Sequence, residues 1–264
     1  QSGHGRIVEH DDAHVAFRKG ALAEAAGVSA GVIDALVDEG ALDVAALPPV
    51  PVAAPLDPDF ATPAFSLEQQ EAALALRASV AERTASATLL EGVTGSGKTE
   101  VYFEAVAEAV RCGRQVLILL PEIALTAQFL ARFEARFGAR PAEWHSAINP
   151  NRRNRLWRAV AEGAVQVVAG ARSALLLPFR DLGLIIVDEE HDQAFKQGDG
   201  VRYNARDMAV VRGRLENAAV VLSSATPSVE SRVNAEQGRY RHVRLPDRFG
   251  PATLPALAAI DLRR

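Results

Sequence analysis

Residues Gly92-Val93-Thr94-Gly95-Ser96-Gly97-Lys98-Thr99 have the types and spacing of a phosphate-binding loop. Glycine lets the backbone wrap a polyphosphate with its N–H groups, and a helix opening behind the loop adds the partial positive charge of its N-terminus. Lys98 is placed to reach the β- and γ-phosphates and the Thr99 hydroxyl to hold Mg²⁺. Gly92, Thr94, Gly95, Ser96, Gly97 and Glu100 complete the cradle, so ATP and Mg²⁺ are the expected ligands. A metal at such a site needs a carboxylate from a neighbouring strand end, and Leu184-Ile185-Ile186-Val187-Asp188-Glu189-Glu190-His191 supplies it. Asp188 would hold Mg²⁺ through water and Glu189 would polarise the water that attacks the γ-phosphate. An acidic cluster alone usually marks a solvated loop. Placed after an apolar strand and downstream of a phosphate loop, it reads as the other half of a catalytic site.

These groups need strands to carry them. Thr88–Leu90, Gln115–Leu120, Val165–Ala169, Leu184–Val187 and Ala219–Leu222 are short apolar runs alternating with helical stretches. That pattern predicts an α/β fold, a RecA-like P-loop lobe with a mainly parallel, doubly wound sheet. With 48% hydrophobic and 6% aromatic residues, the core should be mainly aliphatic. No apolar run reaches the length of a membrane span and no charged-then-apolar leader opens the chain, so the expected setting is the cytoplasm, with no membrane contact. The single cysteine, Cys112, can form neither an internal disulfide nor a cysteine-built zinc site, and reads as a small helix-end residue.

Ahead of the lobe, Leu22–Ser29 and Val32–Val37 read as two short helices with Gly27 at the turn and Ser29 placed to cap the second, a helix-turn-helix or winged-helix pattern over residues 1–47. The proline-rich stretch that follows predicts a linker over 48–65, leaving 66–264 as the lobe. The net charge of −4 divides unevenly: residues 1–65 hold ten acids and three bases (−7) and residues 66–264 hold twenty-three acids and twenty-six bases (+3). Attraction for phosphate therefore belongs to the second part, and the first domain can be read as a fork-binding module or as a spacer or docking domain. Phe195, Lys196, Arg202, Tyr203 and Arg206 mix aromatic and basic side chains directly after the acidic motif, which suits base stacking and phosphate attraction on single-stranded nucleic acid. An ordinary surface hairpin is the plainer alternative.

The Asp-Glu-x-His form resembles that of superfamily 2 helicases, and a metabolic P-loop kinase would not explain it. From about Lys19 onward the chain resembles the PriA (primosomal protein N′) family of replication-restart DNA helicases. The resemblance is carried by Gly92–Glu100, Pro121–Thr126, Gly170–Ala174, Asp188–His191, Lys196-Gln197, Arg202–Asp207 and Ser223–Pro227. It implies an ATP-dependent 3′-to-5′ motor acting on forked and single-stranded DNA. Replication-restart proteins and single-strand-binding protein would be its partners, associated with the nucleoid. It also implies a second lobe and a zinc-binding region, both expected outside this chain, so that the lobe alone should hydrolyse ATP poorly. Thr126, Arg172 and Ser173 become candidate contacts to DNA, although an arginine at a strand end is often only a surface ion pair. His191, Ser224 and Thr226 become candidates for coupling the nucleotide and DNA sites. Gln69 becomes the candidate adenine reader, with Gln70 offering the same chemistry. Ala171, Phe195 and Asn204 stand where this family leads one to expect threonine, tyrosine and histidine. The rival reading is a non-motor fork-binding scaffold that loads replication proteins without ATP turnover. Trp144-His145-Ser146 also resembles a family segment, and a core or groove tryptophan explains it equally well.

Overall fold

The computed structural model describes residues 8–10, 14–17, 19–44, 51–121 and 124–249. Glu122 and Ile123 of the Pro121–Thr126 segment, the prolines at 48 and 49, and the chain beyond Phe249 lie outside the described residues. The chain divides into two compact units, 1–51 and 52–264.

In the first unit an antiparallel hairpin, β1 (Val8–His10) and β2 (His14–Ala16), precedes helices α1 (Lys19–Ala26) and α2 (Ala30–Asp38), which meet at 108°. Gly27 turns the chain at φ +64, a left-handed conformation that glycine takes without strain. Ser29 occupies the N-cap position of α2, but its side chain makes no capping hydrogen bond, contrary to expectation. An exposed ion pair between Lys19 and Asp34 ties the two helices.

The second unit is a seven-stranded, fully parallel sheet in the order β11-β3-β10-β7-β4-β6-β5. Its strands are β3 (Ser86–Gly92), β4 (Gln115–Leu119), β5 (Ala142–Trp144), β6 (Val167–Gly170), β7 (Leu182–Asp188), β10 (Ala219–Ser224) and β11 (Arg241–Leu245). Helices α3 (Leu67–Ala81), α4 (Lys98–Arg111) and α5 (Ala127–Phe137) cover one face, while α6 (Pro150–Ala161), α7 (Ala205–Glu216) and α8 (Val229–Glu236) cover the other. Successive strand residues feed opposite cores: Val116 and Ile118 pack with the first set of helices, Leu117 and Leu119 with the second. No helix among the described residues is long and apolar enough to cross a membrane.

The sheet is aliphatic as expected, but between α4 and α5 the ring of Phe103 sits edge-on to Phe129, Phe133 and Phe137, with centroids 5.4–6.0 Å away. Cys112 is the C-cap of α4.

The segment expected to be a free linker is part of the lobe from Val52 onward. Leu56 is buried in the core, and its N–H donates to Gln166 Oε1 (3.0 Å). The Asp57 N–H donates to the Phe137 carbonyl (3.0 Å). Arg136, itself paired with buried Glu104, donates to the Pro58 carbonyl (2.8 Å). Val52 and Ala53 pack on one core and Leu56 in the other, so the segment straps the two layers together.

Candidate nucleotide site and adjoining strand-end cavity

The phosphate loop joins β3 to α4 in the arrangement its sequence requires. Gly95 and Gly97 take φ +82 and +81, and a Cβ on Gly97 would lie 2.4 Å from Gln69 Nε2, so side chains are excluded there by both backbone and space. Lys98 is buried at the first turn of α4 and donates to the carbonyls of Gly92 (2.7 Å) and Val93 (3.3 Å). Burial lowers its pKa from the ordinary value, and the Glu189 and Asp188 carboxylates act in the opposite sense. The side chains meet around a cavity of about 370 Å³ lined by Gln69, Lys98, Thr99, Asp188 and Glu189.

Asp188 ends β7, held on both carboxylate oxygens. The Tyr102 hydroxyl donates to Oδ2 (3.0 Å), and Ser223 Oγ and the Glu189 N–H donate to Oδ1 (2.9 and 3.1 Å). Tyr102 lies one helical turn after Lys98, which puts both on the same face of α4. Burial and the Asp188 charge push its phenol well above the ordinary range, so it stays a proton donor. Glu189 adopts φ +50. This left-handed residue puts its own side chain on the cavity and beside His191, while Glu190 turns inward. Burial raises the Glu189 pKa and Asp188 adds to that, opposed by Lys98 and His191.

Glu190, almost wholly buried, accepts hydrogen bonds from the Ser228 N–H (2.7 Å), Ser228 Oγ (3.0 Å), Ser231 Oγ (2.9 Å) and Arg206 (3.4 Å), knitting the ends of β7 and β10. His191 Nδ1 lies 2.7 Å from Ser224 Oγ and 3.6 Å from Glu189, and the Thr226 N–H donates to the same Ser224 hydroxyl (3.0 Å). The structure therefore brings His191, Ser224 and Thr226 into one chain of contacts.

Gln69 is buried where Gln70 is exposed. Its Oε1 accepts from the Ser66 N–H (2.9 Å), closing a capping box, and Nε2 donates to the Ser96 carbonyl (2.8 Å). One of its two side-chain hydrogen bonds thus fixes the phosphate loop. The Ser-x-x-Gln spacing of a capping box was the signal for this. Glu100 is ion-paired with Arg132, which also lines the cavity.

These residues fit a nucleoside triphosphate with Mg²⁺. Ser96 Oγ in the loop is buried with no hydrogen-bond partner among the described residues, the two left-handed glycines open the cradle, and Thr99 and Asp188 form the hard-oxygen set that Mg²⁺ takes.

A second cavity, about 300 Å³, opens on the same sheet edge and is lined by Arg153, Arg172, Ser173, Phe195 and Tyr203. Arg172 donates to the carbonyls of Ala194 (3.2 Å) and Lys196 (2.7 Å) and forms no ion pair with any described residue, and Trp144 Nε1 donates to Ser173 Oγ (3.1 Å). Trp144 itself is buried in the second core. Thr126 is exposed and caps α5 through the Phe129 N–H. Lys196 and Arg202 are exposed on a small antiparallel hairpin, β8 (Lys196-Gln197) and β9 (Tyr203-Asn204).

Two expected nucleic-acid contacts are corrected. Phe195 is 1% exposed and packs in the core, so it presents no stacking face. Arg206 is buried with its guanidinium on Asp207, Glu190 and Ser228, leaving it to hold the Glu190 clamp. Asn204, in the position where the resemblance leads one to expect histidine, caps α7 by accepting from the Arg206 N–H.

Parallel sheet, phosphate loop and facing carboxylates together define a P-loop nucleotide-binding lobe of the RecA-like kind. A sequence model of the DEAD/DEAH box helicase family matches residues 68–234. The chain belongs to that family. Among curated proteins, the Replication restart protein PriA of Rickettsia felis is 46% identical over 205 residues, covering 78% of this chain and 31% of that protein. The protein of that name in Bacillus subtilis is 41% identical over 175 residues, 66% of this chain and 22% of its own. The chain thus spans about a third or less of the relatives it matches. Among solved structures, the Pyrococcus furiosus Hef helicase domain superposes with a TM-score of 0.49 at 19% identity, covering 73% of this chain and 40% of that one.

Tyr102→Phe is expected to raise the Mg²⁺ concentration needed for Mg²⁺-assisted nucleotide binding while leaving Mg²⁺-free binding unchanged, because one of the hydrogen bonds that orient Asp188 is lost. A loss of about 1 kcal/mol is a severalfold higher Mg²⁺ requirement. Titrating Mg²⁺ against a fluorescent nucleotide checks this, and equal titrations for both proteins would remove Tyr102 from the site.

Proposed function

We propose that the chain is the first motor lobe of an ATP-dependent 3′-to-5′ DNA helicase of replication restart. The observation that carries the reading is the placement of Lys98, Asp188 and Glu189 around one cavity, with Arg172, Ser173 and Tyr203 lining another at the same edge of the sheet. Lys98 neutralises phosphate charge, Thr99 and Asp188 hold Mg²⁺, and Glu189 orients the attacking water. Bound Mg²⁺ supplies charge stabilisation at the phosphates. His191, touching both Glu189 and the Ser224 hydroxyl, is the route by which DNA occupancy biases that orientation. The DNA contacts retained are Thr126, Arg172, Ser173, Lys196, Arg202 and Tyr203.

In this reading a second lobe, within the length the relatives have beyond this chain, contributes the arginine that completes the phosphate site, and zinc belongs to that further length. Forked and single-stranded DNA are the substrates, replication-restart proteins and single-strand-binding protein the partners, and the nucleoid the setting. Residues 1–47 serve as a winged-helix-like accessory domain.

The test is steady-state ATP hydrolysis by the longer parent protein with and without forked DNA. Stimulation by DNA supports the motor. A parent that binds forks yet shows no turnover would instead be a scaffold that loads other proteins.

A further inference from the structure

Helix α6 carries Arg152, Arg153, Arg155 and Arg158, all exposed, and no acidic residue between Pro150 and Ala161. Elsewhere in the lobe arginines typically face carboxylates, as Arg114 does Asp181, Arg212 does Glu216 and Arg241 does Glu82. Arg152, Arg153 and Arg158 form no ion pair with any described residue.

The patch is not isolated. Arg153 lies over the Trp144 ring, 4.6 Å from its centroid, and is the same residue that lines the strand-end cavity with Arg172, Ser173 and Tyr203. Trp157, 49% exposed, sits among the arginines. Positive charge is therefore present both in the cavity, through Arg172 and Arg153, and on the exposed surface of α6, which also carries an aromatic ring, a combination that suits a nucleic acid strand better than an acidic peptide.

We propose that α6 is a second phosphate track, along which the sugar–phosphate backbone of a nucleic acid strand continues beyond the strand-end cavity, with Arg153 at the junction and Arg152 and Arg158 further out. The inference rests on the reading of this lobe as a DNA-dependent motor and adds a surface to it.

The test is fluorescence anisotropy of a labelled oligothymidylate with this chain, between about 50 and 200 mM salt, for the wild type and for R152Q/R158Q, R152K/R158K and R172Q. Losing two phosphate contacts lowers the slope of log affinity against log salt by about 1.4, and affinity falls about tenfold. The lysine variant should keep the slope, and fluorescent nucleotide binding should be unchanged in R152Q/R158Q. If R172Q weakens binding while R152Q/R158Q matches the wild type, the track is overturned and the motor reading stands. If the wild type binds no oligonucleotide, both fall. If a polyglutamate peptide competes as well as an oligonucleotide of equal charge, α6 is an acidic-protein surface and the proposal is overturned.

Discussion

Lys98→Ala is expected to abolish DNA-stimulated ATP hydrolysis by the longer protein, with a loss of at least about 100-fold in kcat. The ammonium is buried, its pKa is lowered by that burial, and it is held by two carbonyls of the loop it serves. It is a charge preorganised where negative charge gathers, and water cannot replace it in a closed site. The same substitution should leave the melting temperature nearly unchanged, because a desolvated cation contributes little to folding. Phosphate release and thermal unfolding measured on the same preparation check both halves. Turnover within a factor of ten of the wild type would show that the phosphates lie elsewhere.

The second large effect separates two adjacent glutamates. Glu190→Ala should destabilise the lobe by roughly 3–5 kcal/mol, since it leaves Arg206 buried without its inner partner and strands the Ser228 N–H. Asp207 still faces Arg206, which favours the lower end of that range. Glu189→Ala should shift stability by no more than about 1 kcal/mol while removing turnover, because that half-exposed side chain points into the nucleotide cavity. Urea unfolding of the two variants decides the matter, and equal midpoints would contradict the division of labour.

The clamp that Glu190 makes was not legible in the sequence, where Asp188, Glu189 and Glu190 are three similar carboxylates. What separates them is one left-handed residue, Glu189, and partners some forty residues downstream on α8. The phosphate loop and the five inner strands were legible because glycine spacing and continuous apolar runs have local causes. β11 carries no such signal because Arg241-His242-Val243-Arg244-Leu245 is an edge strand rich in polar residues, and β5 carries none because three residues hold no period. Phe195 and Arg206 were misplaced for a related reason: an aromatic and a base in a polar stretch look available to a ligand, and only the tertiary fold shows that each is already taken. Tyr102, by contrast, could have been found from its spacing after Lys98.

The strap over Val52–Phe65 changes what counts as a portable piece of this protein. Leu56 sits in one core, Val52 and Ala53 lean on the other, and Arg136 is finished by the carbonyl of Pro58. A gene fusion or laboratory graft that cut the lobe at its first helix would leave a buried guanidinium short of a partner and an aromatic core open to water. The compact lobe therefore begins at Val52, and the prolines that look like a hinge in the sequence include its first staple.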